Sequence, residues 1–488
     1  MSTKSLIYVS FLPEIILGAF ALLIMCVDPF LKKREKVFST IISIFAIVVA
    51  FISNLLFLSR DASLITFNGM IYFDFYSNLL RGLFLLIGFL VSLFAFKYIE
   101  REDLFPGEFS SLLLFALIGM DLMAISANLI MTFIGLEILS MSTYILAGFK
   151  RKNLKSNESA LKYFILGGVS SAILLYGISF LYGFTGTLSY RGIANVLSKG
   201  SGFIGSPLLF LGMGMILVGF GFKIALAPFH VWTPDVYEGA PTVVSGFMSV
   251  GPKAAGYAAL LRIVFQIFPF TLPLWRELFV YSAILTMLIG NLGAIIQKNV
   301  KRLLGYSSIA HAGYMLLGII AADVMGMSGI IFYLFAYLFM NLGAFGVISI
   351  FEGKGEKFVT IDDYRGIGFK YPQLTFPLSI FLLSLAGIPL TAGFVGKFVL
   401  FGAALMENHM GLVLIAILAS LISVYYYLKV IVYMFMKSPI IEGEEIEVRY
   451  SGVALFSVLV CAFFVLYLGL FPSYLLNLSK EAVVFLGI

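Results

Sequence analysis

Four ionisable residues stand where an apolar chain should exclude them. Glu137, Lys223, Lys253 and Lys397 each lie well inside a long apolar run rather than at its edge. A charge at mid-bilayer costs at least ~2.5–3.5 kcal/mol on insertion scales, so an ionisable residue retained there is a functional candidate by default. Glu137 lies about eight residues into its run and Lys253 about twelve, roughly 12 and 18 Å deep at about 1.5 Å per helical residue. The chemistry these types offer is proton transfer. A carboxylate close to a lysine tightens its hold on a proton, and withdrawing the carboxylate loosens it. A lysine switched in this way loads from one side of a membrane and releases to the other, against about 2.3 kcal/mol per 100 mV for each proton. The competing reading is a static buried ion pair in which Glu137 and one lysine neutralise each other. His230 and His311 are candidate relays, because an imidazole titrates near neutral pH; satisfied core histidines are the alternative. Lys162 opens its run and is either a channel-mouth residue or a snorkelling one. Arg262 and Lys429 lie within about two turns of their run ends, which favours snorkelling or structural pairing.

The elements that must hold these groups follow from hydropathy. The residues AVILMFWYC make up 61% of 488 positions, charged residues 12%, and mean hydropathy is +1.03, which makes lipid the main solvent. Only helices or closed barrels cross lipid, and a helical span needs about 20 apolar residues. Fourteen such runs are present, near 6–27, 37–58, 72–96, 109–127, 129–149, 160–183, 207–229, 241–268, 274–297, 303–321, 326–351, 372–406, 410–437 and 452–471. They are too long for barrel strands. The first lacks a clear cleavage site and is expected to stay as a span. The seventh is interrupted by Pro228 and Pro234 and the twelfth by Gly387-Ile388-Pro389. Proline frees a backbone carbonyl, which membrane proteins tolerate only where protein or water satisfies it, so each break is a candidate hydrated site. Breaks at corresponding places in two halves point to a transporter-like repeat. The expectation is therefore an all-α polytopic membrane protein of about 14 transmembrane helices, with two inverted five-helix repeats and discontinuous helices 7 and 12. Residues 1–108 would hold helices 1–3, 109–268 the first repeat (helices 4–8), 274–437 the second (helices 9–13), and 438–488 a loop and helix 14.

Net charge is +6, yet the basic residues form short clusters between spans rather than a nucleic-acid-binding domain. Odd-numbered loops carry 19 of the 32 Lys and Arg, with Lys32-Lys33-Arg34 and Lys150-Arg151-Lys152 densest. Even-numbered loops and the termini carry only Lys4, Arg60, Arg191, Lys199, Arg276 and Lys480. Odd loops should face the cytoplasm and both termini the outside. Cys26 and Cys461 sit in separate apolar runs and three histidines are scattered, which leaves no disulfide framework or metal motif. No Walker loop and no GxGxxG after a strand is present, so no nucleotide or flavin site is expected on this chain.

Several stretches are also familiar as residues. Phe222-Lys223 through Pro228, His230, Trp232, Pro234-Asp235, Glu238 and Pro241, followed by Met248 to Pro252-Lys253, closely resembles the antiporter-like membrane subunits of bacterial NADH:quinone oxidoreductase, respiratory complex I. The stretch from Arg302 through Tyr306 and His311 to Tyr314 is similar to the same family, as is Gly387-Ile388-Pro389 through Gly393 to Gly396-Lys397. Lysine at 397 distinguishes the chain from subunit M, which usually has glutamate there, and its end at Ile488 leaves no room for the lateral helix of subunit L. The resemblance covers nearly all the runs. It implies that Glu137 and Lys223 form a modulated ion pair, that Lys253 is a central relay and that Lys397 is the outer lysine. His311 would join the same axis, and Lys162 its cytoplasmic side. It further implies a bacterial inner (plasma) membrane location, neighbouring membrane-arm partners including subunit M and the small subunit K, and surrounding lipid. NADH, FMN, iron-sulfur clusters and quinone would bind on other subunits, with no cofactor or metal here. Asp121 has no place in the family pattern: it is a second acid on the axis or lies near an outer helix end. Alternatives are a subunit of a cation/proton antiporter or of an energy-converting hydrogenase, a standalone transporter, or a membrane scaffold.

Overall fold

A computed structural model of the chain describes residues 10–32, 36–56, 63–199, 206–269, 272–438, 448 and 450–486. Lys4, Lys33, Arg34, Arg60 and Arg449 of the charge count, and the start of the first apolar run, lie outside these residues.

Helices dominate, because in lipid each segment must satisfy its own backbone polar groups. The chain opens with α1 (Leu12–Val27) and α2 (Val37–Leu56), and continues through α3 (Phe75–Arg101), α4 (Pro106–Ile125), α5 (Leu129–Ala147) and α6 (Leu154–Thr185). A short amphipathic α7 (Tyr190–Ser198) leads to α8 (Pro207–Lys223), α9 (Trp232–Gly239) and α10 (Thr242–Arg262), which runs on into a π-helical turn. The second half contains α11 (Leu272–Ile295), α12 (Val300–Ala321), α13 (Val324–Phe351), α14 (Pro372–Ala386), α15 (Ala392–Met406) and α16 (Met410–Met436), before α17 (Gly452–Leu470) and α18 (Ser473–Val483). Start signals are local. Proline occupies the first turn of α1, α4, α8 and α14, where its missing N–H costs nothing. Side chains of Asp74, Asn128, Asn153, Asn299 and Asp323 cap α3, α5, α6, α12 and α13.

Among the described residues, eleven helices are long and apolar enough to cross a membrane, and α8, α14 and α15 are shorter apolar helices. Their shortness comes from the two interruptions. The seventh run stops at Lys223, passes through turns at 224–231 and restarts as α9. The twelfth splits between α14 and α15, where Gly387 takes a φ of +87°, a left-handed conformation that suits glycine. Three elements have no counterpart in the hydropathy reading: the hairpin of β1 (Leu64–Thr66) and β2 (Ile71–Phe73), α7 and α18.

The hairpin pairs Leu64 with Phe73, Ile65 with Tyr72 and Thr66 with Ile71. Beside it Asn128 bridges Ser189, and at the far end of α5, on the other face, Asn299 bridges Thr360. The two bridges are built alike. Leu129 N–H donates to Leu188 and Tyr190 N–H to Ala127, while Val300 N–H donates to Val359 and Ile361 N–H to Lys298. The same sequence offset separates Asn128 from Asn299 and Ser189 from Thr360. At the core, every residue of α10 is buried, and α12 and α13 are buried on nearly all sides. A helix covered all round belongs to the interior. Three of the four candidate groups, Lys223, Lys253 and Lys397, are on or against these central helices.

Candidate functional site

The site begins where α8 ends. Lys223 is 4% exposed, and its Nζ donates to Ser140 Oγ on α5 at 2.9 Å, with the Tyr163 ring 5.9 Å away. Glu137 lies one turn before Ser140 on α5, half-buried, and its Oε1 is buried without a hydrogen-bond partner. The ion pair that the resemblance implies is thus open in this structure. Helical i, i+3 spacing puts acid and hydroxyl on one face, so the lysine occupies the neutral position of two adjacent ones.

Lys253, from the middle of α10, donates to both Ser308 Oγ (2.6 Å) and the Ser308 carbonyl, and lies 5.6 Å from the Tyr337 ring. Among the described residues no carboxylate pairs with it. One turn along the same helix, a Cβ at Gly256 would stand 3.7 Å from Lys223 Cγ, so the stems of the two lysines belong to one packed layer.

His311 follows Ser308 by one turn of α12 and is 1% exposed. Its Nδ1 lies 2.5 Å from the Tyr333 hydroxyl and its Nε2 3.2 Å from that of Tyr427, which also bonds Ser307. Its ring centroid is 5.3 Å from Tyr337 and 5.6 Å from Tyr314. Tyr337 also faces Lys253, and Tyr314 faces Lys397 with Nζ 4.8 Å from the ring. The two tyrosines therefore link the histidine to a lysine on either side.

Lys397, on α15, reaches back to the end of α14. Its Nζ donates to the carbonyls of Leu385 (2.9 Å) and Ala386 (3.1 Å) and to Ser420 Oγ (2.9 Å). The last carbonyls of a helix lack partners within it and carry its partial negative charge. Interrupting the twelfth run thus creates the acceptors that hold this ammonium. A Cβ at Gly387 would lie 3.1 Å from Lys397 Cδ, tight enough that glycine suits the position on packing as well as on φ.

His230 and Lys162 lie away from this line. His230 is half-exposed in the turns after α8, with Nδ1 unpartnered. Lys162 is 41% exposed and bonds Glu158 and Asp235, each at 2.7 Å. Asp235 also meets Arg302 (2.5 Å), and Glu238 meets Lys155 and Arg302 (both 3.1 Å), so these charges line one shallow polar pocket at the surface. Burial would raise the Asp235 carboxyl, but its bonds from Lys162 and Arg302 outweigh that and hold it below its ordinary range.

Of the two readings of Arg262, structural pairing holds and snorkelling does not: it is fully buried, with bonds to Asp74 at 2.8 and 3.0 Å, Ser77 Oγ at 2.7 Å and the Ala124 carbonyl at 2.8 Å. Two further charged constellations escaped the sequence reading. Arg81 makes a buried pair with Glu14 at 2.6 Å, in the same part of the bundle as Asp121. At the opposite face, Lys150 bonds Glu356 (2.6 Å) and Glu102 (3.1 Å), Lys301 bonds Glu356 (3.0 Å), and Arg101 bonds Glu352 (3.1 Å), which also accepts from Thr242. An acidic residue inside or just beyond an apolar run was the available signal for Glu14 and Glu352.

Burial, reinforced by the Glu356 charge, pushes Glu352 up to about 7 from 4.5. A carboxyl raised on folding binds more protons folded than unfolded within that window, so stability falls as pH rises through it. Thermal unfolding of the detergent-solubilised assembly should therefore show a midpoint that drops between about pH 5 and pH 7. Glu352→Gln should flatten that slope, and an unchanged slope would contradict the assignment.

A family profile described as NADH:quinone oxidoreductase/Mrp antiporter, TM, matches residues 126–423. NADH-quinone oxidoreductase subunit N of Trichlorobacter lovleyi is 43% identical, over 97% of this chain and 96% of its own length. Subunit N 1 of Solibacter usitatus is 40% identical, over 97% and 96%. A chain of respiratory complex I from Thermus thermophilus with bound aureothin superposes with a TM-score of 0.81 at 34% identity, covering 96% of this chain and 99% of that one. A chain of the archaeal membrane-bound sulfane sulfur reductase gives 0.87 at 24% identity, covering 98% and 97%, a likeness of fold alone.

Proposed function

We infer a proton path from the premise that this chain belongs to the NADH:quinone oxidoreductase/Mrp antiporter family and, within it, to subunit N of NADH-quinone oxidoreductase. It is a proton-translocating membrane-arm subunit of complex I, which couples electron transfer from NADH to quinone elsewhere in the complex to proton movement across the membrane. The path runs through Lys223, Lys253, His311 and Lys397. The observation that carries it is the succession of groups from Ser140 and Lys223, packed beside α10 at Gly256 one turn from Lys253, then across Tyr337, His311 and Tyr314 to Lys397.

Lys223 alternates between two positions one turn apart on α5. Against Glu137 it holds its proton; against Ser140, where it lies here, the ammonium has only a neutral partner and passes the proton on. Lys253 receives it, with Ser308 fixing the amine. The hydroxyls of Tyr427 and Tyr333 on the two ring nitrogens let His311 take a proton on one side and give one on the other. Lys397, held by the open end of α14, is the last station within the chain. Lys162 and its surface partners form the cytoplasmic mouth, and His230 is an accessory group near it.

The architecture that suits this path is fourteen crossings, with 109–268 and 274–437 as inverted repeats between the N-terminal helices (1–108) and the C-terminal segment (438–488). The like-built bridges at Asn128 and Asn299, on opposite faces, support that reading. The face of Lys150 and Lys301 is the cytoplasmic one, both termini lie outside, and the membrane is the bacterial inner membrane. Subunits M and K are neighbours, and NADH, FMN, iron-sulfur clusters and quinone reside on other subunits.

The test is Lys223→Ala in the assembled complex. NADH-driven proton uptake into inverted vesicles should fall at least several-fold while the complex still assembles. Full pumping by an assembled variant would refute the path.

A further inference from the structure

Two carboxylates and one guanidinium are buried together in the N-terminal part of the bundle, away from the lysine line. Arg81 Nη2 lies 2.6 Å and its Nε 2.8 Å from Glu14 Oε1. Nη2 also donates to the Ser10 carbonyl at 2.8 Å, and Nη1 to Asn78 Oδ1 at 3.3 Å. Asp121 is on α4, which packs antiparallel to α1. Ser111 Oγ donates to the Ala21 carbonyl, and a Cβ at Gly18 would lie 3.7 Å from Ile118 Cδ1. One further turn along the same register brings Glu14 level with Asp121, and the two acids and Arg81 interact electrostatically. Arg81, Glu14 and Asp121 are 1%, 3% and 0% exposed.

The hydrogen bonds do not close around this group. Glu14 Oε2, Asp121 Oδ1 and Asp121 Oδ2 are all buried and without a hydrogen-bond partner. With both acids ionised, two negative charges would face one positive one, and a buried charge without a partner costs several kcal/mol, on the order estimated for ions taken out of water. The other packed elements bring nothing to balance it. Among the described residues, α2 contributes the amide of Asn54, α5 meets α4 through Gly135 and Leu139, and α10 meets it where Gly251 faces Met120. Arg262 approaches at Ala124, but its charge is matched by Asp74. Lys253, also on α10, is engaged at Ser308 on α12.

We propose that Glu14, Arg81 and Asp121 form a second proton-binding site, in which Asp121 carries a proton that the Glu14–Arg81 pair leaves unbalanced. Asp121 carries it because Glu14 already accepts two charge-assisted bonds, whereas neither Asp121 oxygen has a donor. A metal cation suits the site less, because the guanidinium that neutralises Glu14 would repel it. The site communicates with the hairpin face: the Ser10 carbonyl accepts from Arg81, and Ser10 Oγ lies 3.1 Å from Thr66 Oγ1 on β1. Its proton exchanges with the aqueous phase on that side, separately from the path through Lys253.

The experiment is infrared difference spectroscopy on the whole complex, wild type against Asp121→Asn, in H2O and D2O. One carboxylic-acid C=O band that shifts on deuteration should be present in the wild type and lost in the variant. Glu14→Gln serves as a second arm, and as a substitute where Asp121→Asn does not assemble. Removing the other acid leaves one carboxylate for one guanidinium, so Asp121 ionises and the same band is lost. Persistence of the band in either assembled variant overturns the proposal. A wild-type complex that lacks the band and whose thermal midpoint rises with sodium concentration also overturns it, by assigning the site to a metal cation.

Discussion

Lys253→Met should abolish proton flux through this chain while the complex still assembles. Methionine fills nearly the same volume in α10 and leaves Ser308 Oγ able to bond elsewhere, so packing is largely kept. What it removes is the amine that, among the described residues, stands between Lys223 and the Tyr337–His311 pair. A positioned acid–base group typically contributes about 10²–10⁴-fold to a proton-transfer step, so the flux should fall by roughly 100-fold or more. Lys253→Arg separates relay from charge. Arginine keeps the positive charge but does not deprotonate in proteins. A structural charge would be rescued by arginine and a proton relay would not. Pumping in proteoliposomes, with assembly followed on native gels, reads both variants. Recovery in the arginine variant would make Lys253 a fixed counter-charge.

Arg262→Met should act on stability instead. It strands Asp74 in the interior and removes bonds to Ala124 and Ser77 and the guanidinium's contacts with the Tyr72 and Tyr76 rings, at 4.4 and 4.5 Å. Breaking one half of a buried pair costs about 3–5 kcal/mol. The assembled complex should be scarce, and what remains should unfold at lower temperature. Adding Asp74→Asn should restore much of the loss, because it discharges the stranded partner while asparagine still caps α3. If the double variant is no more stable than Arg262→Met, the damage lies in lost packing rather than in the uncompensated charge. The contrast with Lys253 is one of partners: Arg262 has a matching carboxylate and Lys253 has only hydroxyl and carbonyl oxygen.

The sequence carries those features that depend on a residue's immediate neighbours. Apolar length locates the helices, prolines and Gly387 locate the two interruptions, and depth within a run singles out Glu137, Lys223, Lys253 and Lys397. It does not carry partnerships. That Lys223 rests on Ser140, 83 residues away, and Lys397 on the carbonyls of Leu385 and Ala386, depends on how helices pack and where one ends. Arg262 reads as a helix-end residue because it lies within about two turns of its run's end, and its partner Asp74, at the start of another run, is 188 residues away in the chain. Glu14 was legible by the same criterion as Glu137, an acid inside an apolar run. Its significance emerges only once Arg81 and Asp121 are beside it. The hairpin and α7 are too short or too polar to register as spans, though they close one face of the bundle.

The network of Arg101, Glu102, Lys150, Lys301, Glu352 and Glu356 has a mechanical meaning as well as an electrostatic one. Lys150 follows α5, Lys301 begins α12, and Glu352 and Glu356 follow α13, so its bonds run across the two halves of the chain like a crossbeam. Rocking one half against the other would tear several buried charges from their partners at once, a far stiffer hinge than any single contact. With the frame braced in this way, the proposed path asks only for movements that need little room: a lysine swinging by one helical turn and a tyrosine hydroxyl rotating. Conduction along that path would be a matter of side chains moving inside a rigid casing.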